Sequence, residues 1–214
     1  MRAKLQYLEV PGLLLCGILG GFLLWGQDNL RTWLGTLSTR ESKAYDLDDF
    51  AAFPTWGAAD APLTLIEFGD YECPYCQQWR AEVWPELEAA YGQELQYIFV
   101  DFPLTDIHPE AFAAAEAAHC AREQDAYWAY HEGLLTGARL NEARYQALAQ
   151  ELGLDLAWFS ACMEDGRYQE RVLEGRALAV QYGFTSTPAF LVNGTPVVGA
   201  QDFGVFQDML GAAR

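Results

Sequence analysis

Positive charge is scarce in this sequence of 214 residues. Lysine and arginine together number 13 against 30 aspartates and glutamates, which gives a formal net charge of −17. Because such a surface repels a phosphate backbone, the composition argues against nucleic-acid binding. The acidic excess favours solubility. Hydrophobic residues make up 51% of the chain, so length and composition predict one domain with a core of its own.

Clustered metal ligands are also lacking. Cys73 and Cys76 form one C-x2-C pair, no other two cysteines are closely spaced, and the three histidines do not form an H-x3-5-H pair. A structural zinc site usually needs four ligands, commonly two C-x2-C halves or one such half with two histidines. We therefore predict neither a metal site nor a cofactor.

A cleavage site of the A-x-A type does not follow the apolar N-terminal segment. An uncharged run from Val10 to Trp25 comes after Arg2 and Lys4, and the residues that follow, WGQDNLRTWLG, contain no alanine. The run is slightly shorter than the ~20 residues of a spanning helix, but apolar residues before it can extend it. We expect an uncleaved membrane anchor at 1–26, with a cleaved signal peptide as the alternative.

The basic residues before the apolar run predict that the N-terminus lies in the cytoplasm. The protein is then expected to be a single-pass protein of the cell membrane, with the remainder of the chain on the extracytoplasmic side, periplasmic or extracellular, where disulfides persist. Residues 27–56 are predicted to form a juxtamembrane linker and residues 57–214 the folded domain.

Hydrophobic periodicity predicts a mixed α/β domain with many helices between its second strand and a late hairpin. The expected elements, in chain order, are a strand at 63–68, a helix at 79–91 kinked by Pro85, a strand at 95–102, a block of helices, a hairpin around Asn193-Gly194 and a last helix at 203–213. No internal repeat interrupts this order.

The position of the C-x2-C pair suggests redox chemistry. Cys73 follows a predicted strand, and Pro74 suits the first position of a helix because its missing N–H is not needed there. Cys73 is then expected at the N-cap, where the positive end of the helix dipole favours a thiolate and lowers the thiol pKa. Cys76 lies about one turn further on, close enough to form a disulfide with Cys73.

These features resemble a known family. The segments EFGDYECPYC, DFPLTDIHPEAF, AYWAYHEGLL and GFTSTPAFLVNG are similar to those of the thioredoxin superfamily, and more closely to the DsbA-like extracytoplasmic thiol–disulfide oxidoreductases. The resemblance covers roughly residue 57 to the C-terminus. It implies a thioredoxin fold with an inserted helical domain at about 105–183, preceded here by the N-terminal anchor helix.

The resemblance also implies roles for individual residues. Cys73 resembles the attacking cysteine and Cys76 the resolving one. Pro188 resembles the cis-proline beside the redox pair, and its neighbour Thr187 resembles the residue that offers backbone groups to a substrate strand. Glu67 resembles the buried acid that moves a proton to or from the resolving cysteine, with an ordinary strand-edge carboxylate as the alternative.

Cys120 and Cys162 lie in two different predicted helices of the insertion. The simplest interpretation is a structural disulfide, which some relatives also carry. Closing a loop of about 40 residues would contribute on the order of 4 kcal/mol to stability. A second redox pair that relays electrons is the alternative, but neither cysteine has the strand-to-helix setting of Cys73.

The implied function is the introduction of disulfides into exported proteins. The expected partners are unfolded or reduced exported proteins and a membrane quinone-linked thiol oxidase that reoxidises the pair. A disulfide reductase or isomerase is one alternative, because Tyr75 stands where DsbA proper has a histidine that adds positive charge. The other alternative is a non-catalytic thioredoxin-like chaperone or metal-binding module.

Further residues near the motif are expected to have structural roles. Asp70 and Glu72 are predicted to be solvated. His119 is predicted at a helix surface, and His131 either at the surface or in packing. Tryptophans at helical spacing are expected in the core, namely Trp79, Trp84, Trp128 and Trp158.

Overall fold

The computed structural model describes residues 45–212. The predicted membrane anchor at 1–26 lies outside these residues, and so does the first part of the predicted linker. Within the described range, no helix is both long and apolar enough to span a membrane.

A five-stranded mixed sheet forms the centre of the described domain. Its strands lie in the spatial order β1-β3-β2-β4-β5, and their ranges are β1 Thr55–Trp56, β2 Leu63–Gly69, β3 Leu95–Asp101, β4 Ala189–Val192 and β5 Thr195–Val198. The central strands β2 and β3 are parallel, and the other neighbouring pairs are antiparallel. Both central strands are buried along almost their whole length, as their continuous apolar sequences predict.

Helices surround this sheet, and most of them lie between β3 and β4. In chain order the α-helices of residues 45–212 are α1 Pro74–Glu82, α2 Trp84–Tyr91, α3 Ala111–Arg122, α4 Tyr127–Leu134, α5 Glu142–Glu151, α6 Leu156–Glu164, α7 Gln169–Gln181 and α8 Phe203–Gly211. Helices α3 to α7 occupy the stretch where the sequence predicts inserted helices. The predicted α/β fold with a helical insertion is confirmed.

The helix expected at 79–91 is in fact the end of one helix and the whole of another. Helix α1 already begins at Pro74, and Val83 separates it from α2. Pro85 lies in the first turn of α2, where a backbone N–H has no partner within the helix. The proline therefore accompanies the start of a new helix and does not kink a continuous one.

The two faces of the sheet pack against separate apolar clusters. Leu65 belongs to the cluster formed with α1, α2, α8 and inserted helices, whereas Ile66 belongs to the cluster that includes the C-terminal part of α7. Because side chains alternate along a strand, Glu67 lies on the face of Leu65, beneath α1. Gly175 allows α7 to approach β3, since a Cβ there would lie 2.5 Å from the Asp101 carbonyl oxygen.

The predicted boundary between linker and domain at residue 56 is wrong. Residues 45–56 pack on the domain: Phe50 and Phe53 are buried in the second cluster, and β1 pairs with β3. The side chain of Phe50 contacts the rings of Phe68 and Tyr182. Burial of Phe50 and Phe53 removes their apolar surface from water, which stabilises the segment on the domain.

A disulfide joins two of the inserted helices. Cys120 of α3 and Cys162 of α6 are both buried, with an S–S distance of 2.01 Å and a Cα–Cα distance of 5.8 Å. The bond closes a loop across 42 positions of the chain. The structure thus pairs the two cysteines that the sequence analysis pairs.

Two expectations about buried and exposed side chains are wrong. Trp158 is 53% exposed, because its indole N–H donates to Glu123 at 2.5 Å and its ring lies under the Arg167 guanidinium at the surface. His119 is fully buried, because Asp101 at the end of β3 pairs with its Nε2 at 2.7 Å. A buried polar side chain is tolerated where such a partner exists.

Candidate active site

Cys73 occupies the N-cap of α1, as predicted. Its backbone is extended, Pro74 follows at the first helical position, and the Gln77 N–H donates to the Cys73 carbonyl oxygen at 3.1 Å. A tight turn connects β2 to this helix, since the Cys73 N–H donates to the Asp70 carbonyl oxygen at 3.1 Å. The end of a central strand and the start of a helix therefore determine the position of the Cys73 sulfur.

Both cysteines of the pair are thiols in this structure. The pKa of Cys73 is lowered to about 6. The largest cause of the lowered pKa is a hydrogen bond from the Cys76 thiol. Burial raises the pKa, and hydrogen bonds from the backbone N–H groups of Cys76 and Tyr75 lower it further. Cys73 is thus a thiolate over much of the neutral range.

Cys76 has the opposite character. It is completely buried in α1, and burial is the largest cause of a pKa well above the ordinary thiol value. The hydrogen bond to Cys73 and the negative charge of Glu67 raise the pKa further. The pair therefore consists of one stabilised thiolate and one thiol that holds its proton.

Accessibility at the pair is lower than the sequence suggests. Cys73 is only 3% exposed, so the expected solvent access to its sulfur is limited. Tyr75, inside the motif, is by contrast 61% exposed. The surface at the motif is therefore formed by the Tyr75 ring and only to a small extent by Cys73.

Thr187 and Pro188 lie against the pair. The Cys73 sulfur lies 3.5 Å from the Thr187 carbonyl oxygen, to which it can donate a hydrogen bond only in its protonated form, and the Thr187–Pro188 peptide bond is cis. Thr187 is itself buried and lies two residues before the start of β4, which pairs with β2. The sheet thus brings together two segments that are far apart in the sequence.

Glu67 is buried in β2 on the face that α1 covers. Tyr97 of β3 donates a 2.7 Å hydrogen bond to one carboxylate oxygen, and the other oxygen, Oε1, has no hydrogen-bond partner among residues 45–212. Burial raises the Glu67 pKa to about 7, while Tyr97 and Arg80 oppose the rise. The buried location excludes the strand-edge alternative and gives a carboxyl that can gain or lose a proton near neutral pH.

Arg80 is a residue of this site that the sequence analysis missed. It lies in α1 one turn after Cys76, is almost completely buried, and forms an ion pair with Glu132 of α4. Its guanidinium carbon lies 4.3 Å from the centre of the Trp84 ring. The i, i+4 spacing from Cys76 is a signal that could have placed it on the same helix face.

The prediction that Asp70 is solvated is wrong. Its carboxylate is buried: Oδ1 accepts the N–H groups of Glu72 at 2.8 Å and Cys73 at 3.2 Å, while Oδ2 accepts the Leu104 N–H at 2.8 Å and pairs with His108 Nδ1 at 2.9 Å. These donors replace the water that an aspartate would otherwise need. Asp70 therefore ties the turn before Cys73 to the loop after β3.

Glu72 is only partly exposed, and it forms a second tie between the same segments. Its Oε2 accepts the Glu110 N–H at 2.7 Å, next to the start of α3. The prediction of a solvated Glu72 therefore fails as well, because the loop after β3 folds over it.

His131 packs beneath the site and not at the surface. Its Nδ1 lies 2.9 Å from the Tyr71 hydroxyl, which is also 3.1 Å from the Tyr127 hydroxyl. Burial and the charge of Arg80 hold the His131 pKa well below the ordinary value, so the ring is neutral. The three side chains form a polar network inside the core that the sequence analysis did not foresee.

Metal ligation has no geometric support in the described part of the chain, where no three histidine, cysteine, aspartate or glutamate side chains converge on one point. As a dithiol, the pair can react with a disulfide, and once oxidised it can react with a thiolate. The arrangement as a whole, with a low-pKa thiol, a high-pKa thiol and a titratable buried carboxyl, is suited to the transfer of electrons between dithiols and disulfides.

Comparison with known families agrees with the fold. A family model described as thioredoxin matches residues 52–212. The structure is similar to that of a thioredoxin-like oxidoreductase from Silicibacter pomeroyi DSS-3, with 30% identity, a TM-score of 0.70, and coverage of 79% of this chain and 98% of that one. It is also similar to the thiol-disulfide exchange protein alpha-DsbA2 from Wolbachia pipientis, with 19% identity, a TM-score of 0.68, and coverage of 88% and 98%. At that identity the second similarity shows the fold alone.

Curated relatives carry a different name. A Na(+)/H(+) antiporter, NhaA 1 of Salinispora arenicola, is 40% identical over 139 residues, which are 64% of this chain and 21% of the antiporter. The chain spans between about a fifth and a third of the length of the curated relatives it matches. The antiporter name describes those proteins as wholes, and we do not transfer it to this chain.

Proposed function

This chain belongs to the thioredoxin family, and from that premise we propose that it is a thiol–disulfide oxidoreductase of the DsbA type, with Cys73 and Cys76 as its redox pair. The observation that carries the proposal is the division of character between the two sulfurs. The pKa of Cys73 is lowered to about 6 at the start of α1, whereas that of buried Cys76 is raised well above the ordinary value. Such a difference distinguishes an attacking cysteine from a resolving one.

The proposed reaction begins with the pair in its disulfide form. A substrate thiolate attacks the Cys73 sulfur, the Cys73–Cys76 bond breaks, and Cys76 leaves with the electron pair. A second substrate thiolate then attacks the substrate sulfur of the mixed disulfide and releases Cys73 as a thiolate. Two electrons pass from the substrate to the pair, and the substrate gains one disulfide.

Glu67 is proposed to move the proton of Cys76. When Cys76 leaves as a thiolate inside the core, it needs a proton because a buried anion is costly. Glu67 carries a pKa of about 7 and is coupled electrostatically to Cys76, so it can supply that proton at neutral pH. In the reverse direction it removes the proton before Cys76 attacks a mixed disulfide.

Thr187 and Pro188 are proposed to contact the substrate. The Thr187 carbonyl oxygen lies 3.5 Å from the Cys73 sulfur, so this backbone borders the sulfur that a substrate must reach. An extended substrate segment can pair with such a backbone while its cysteine meets Cys73.

Oxidation of substrates is the proposed direction. The stabilised Cys73 thiolate favours the reduced pair and makes Cys73 a good leaving group, both of which favour passing the disulfide to a substrate. Tyr75 adds no positive charge beside the thiolate, so the pair should be a milder oxidant than one with histidine there. For the same reason, a reductase or isomerase is the second candidate.

The proposed partners follow from the direction. Substrates are unfolded or reduced exported proteins, and a membrane quinone-linked thiol oxidase returns the pair to the disulfide. The proposed location is the extracytoplasmic side of the cell membrane, with the apolar run from Val10 to Trp25 as a single-pass anchor. This location would keep the pair in an oxidising compartment.

Equilibration of the Cys73–Cys76 pair against glutathione buffers tests the direction, together with an assay of disulfide formation in a reduced, unfolded polypeptide. The proposal predicts a potential more oxidising than that of thioredoxin and formation of the substrate disulfide. A low potential with reduction of insulin and no oxidation would establish the reductase. Stoichiometric metal with no exchange would establish the metal-binding module, and the absence of both metal and exchange would leave the chaperone.

A further inference from the structure

The proposed reaction assigns no role to Arg80, a buried cation close to the redox pair. Its side chain is 6% exposed, although it carries a positive charge in the same helix as Cys76. A buried cation is costly unless it is paired. Its Nε and Nη2 atoms donate to one carboxylate oxygen of Glu132, the first at 2.9 Å, while Nη1 has no partner among residues 45–212.

The guanidinium lies beside the residue that holds Glu67. Its central carbon is 5.4 Å from the centre of the Tyr97 ring, and the hydroxyl of the same tyrosine donates to Glu67 at 2.7 Å. Arg80 and Glu67 therefore share Tyr97 as a neighbour and interact electrostatically across it. The cation is placed where it can act on the carboxyl without contacting it through a hydrogen bond.

The ionisable groups around Glu67 come from three elements. Helix α1 contributes Arg80 and Cys76, with Cys73 at its N-cap; strand β3 contributes Tyr97, and α4 contributes Tyr127 and Glu132 as well as His131, which interacts with Arg80. Burial keeps both tyrosines and Cys76 protonated at neutral pH and keeps His131 neutral. The charges that remain are the Arg80 cation, the Glu132 carboxylate and the Cys73 thiolate.

We propose that Arg80 and Glu132 form a charge pair that sets the pH at which Glu67 exchanges its proton with Cys76. The inference rests on the proposed function, because it assigns the pair a role in that proton transfer. Arg80 acts through Glu67 and is a positioning residue in this account. Glu132 holds the guanidinium in place and partly offsets its charge.

Glu67 and Arg80 are buried, whereas the Glu132 side chain is 51% exposed, so Coulomb's law gives the direction of both effects and solvent screening makes that of Glu132 the smaller. A positive charge favours the carboxylate form of Glu67 and so opposes the rise that burial causes, whereas the negative charge of Glu132 favours the protonated form. Removing the two charges one at a time should therefore shift the pKa of Glu67 in opposite directions. A purely structural ion pair would not produce this opposition, because loss of either partner would only destabilise the fold.

The experiment measures the rate at which the full chain oxidises a reduced polypeptide, from mildly acidic to mildly basic pH, in four variants. Arg80→Met should move the midpoint of the pH profile up by about one unit. Arg80→Lys, which keeps the charge, should restore most of the wild-type profile. Glu132→Gln should move the midpoint down. Arg171→Met removes a cation from the exposed Arg171–Glu174 pair and should move nothing.

A second readout separates this inference from the proposed function. The carboxyl carbon of Glu67 can be followed by NMR in the reduced protein, with Glu67→Gln identifying its signal, whether or not the protein exchanges disulfides. Opposite shifts in Arg80→Met and Glu132→Gln support the charge pair. Should Arg80→Met fail to fold, the downward shift in Glu132→Gln carries the test.

An unchanged Glu67 midpoint in the folded variants would overturn the inference, even if the wild type oxidises the polypeptide normally. Absence of exchange in the wild type would instead overturn the proposed function and, with it, the role in proton transfer. The Glu67 midpoint in the variants therefore tests the inference, and disulfide exchange by the wild type tests the proposed function.

Discussion

The Cys73 sulfur lies 3.5 Å from the carbonyl oxygen of Thr187, a residue 114 positions later in the chain. β4 begins directly after Pro188 and pairs with β2, which leads into the Cys73 turn, so the sheet itself brings the two groups together. In the proposed reaction, this contact places the backbone that a substrate would pair with beside the sulfur. The pKa of Cys73 depends on a few neighbouring groups, so removing one of them should change that pKa in a known direction.

The first prediction concerns the thiolate of Cys73. Titration of the reduced protein, followed by the ultraviolet absorbance of the thiolate, should give a midpoint at about pH 6. In Cys76→Ala the midpoint should rise, because the hydrogen bond from Cys76 is the largest cause of the lowered pKa. An identical midpoint in the two proteins would show that the helix start alone stabilises the thiolate.

The second prediction links Glu67 to stability. Because its folded-state pKa is raised to about 7 from the ordinary 4.5, the folded reduced protein binds this proton more tightly than the unfolded chain does. Its contribution to the free energy of unfolding should thus be complete at low pH and decline as the pH rises from 4.5 to about 7, by about 3 kcal/mol in total.

Chemical denaturation of the reduced wild type and of Glu67→Gln, compared across that pH range, measures this contribution. The variant should gain stability relative to the wild type as the pH rises. A constant difference between the two proteins would mean that Glu67 titrates normally in the folded state.

The third prediction concerns the Cys120–Cys162 disulfide. Replacing both cysteines by alanine should lower the free energy of unfolding by about 4 kcal/mol, because the bond closes a loop across 42 positions. Exchange at Cys73 should remain largely intact in the folded variant. Loss of turnover with unchanged thermal stability would support the alternative of an electron relay.

The fourth prediction concerns the turn before Cys73. Asp70→Ala should cost about 3 kcal/mol of stability and slow exchange, because it leaves the Cys73 and Leu104 N–H groups without their side-chain acceptor. Asp106→Ala, in the exposed part of the same loop, is the matched control and should change neither property. Equal behaviour of the two variants would contradict the role of Asp70 in holding the turn.

Local signals were sufficient for the elements that carry the sulfur atoms. The apolar run before the motif predicted β2, and proline after Cys73 predicted the helix start, since both depend on neighbouring residues only. Strand alternation similarly places Glu67 on the face of Leu65. The role of the Thr187–Pro188 segment came from the family resemblance, because no local pattern specifies its contact with Cys73.

Residues held by distant partners were not predictable from local sequence. The sequence predicts a solvated Asp70, whereas in the structure the loop that carries Leu104 and His108 supplies partners for a buried carboxylate. Arg80 carries no local signal of burial, because its partner Glu132 belongs to an inserted helix 52 positions away. In both cases the side chain is buried because its hydrogen-bond partner lies more than 30 positions away in the chain. Composition and periodicity give no information about such distant partners.

Trapping of mixed disulfides tests the central claim most directly, namely that Cys73 is the sulfur that exchanges with substrates. Cys76→Ala and Cys73→Ala are each incubated with a polypeptide that carries a disulfide, and the adducts are separated on non-reducing gels and mapped by mass spectrometry. The account predicts that Cys76→Ala accumulates adducts through Cys73, because it keeps the attacking sulfur but lacks the resolving thiol, and that Cys73→Ala accumulates none. Adducts in Cys73→Ala but not in Cys76→Ala would contradict the account.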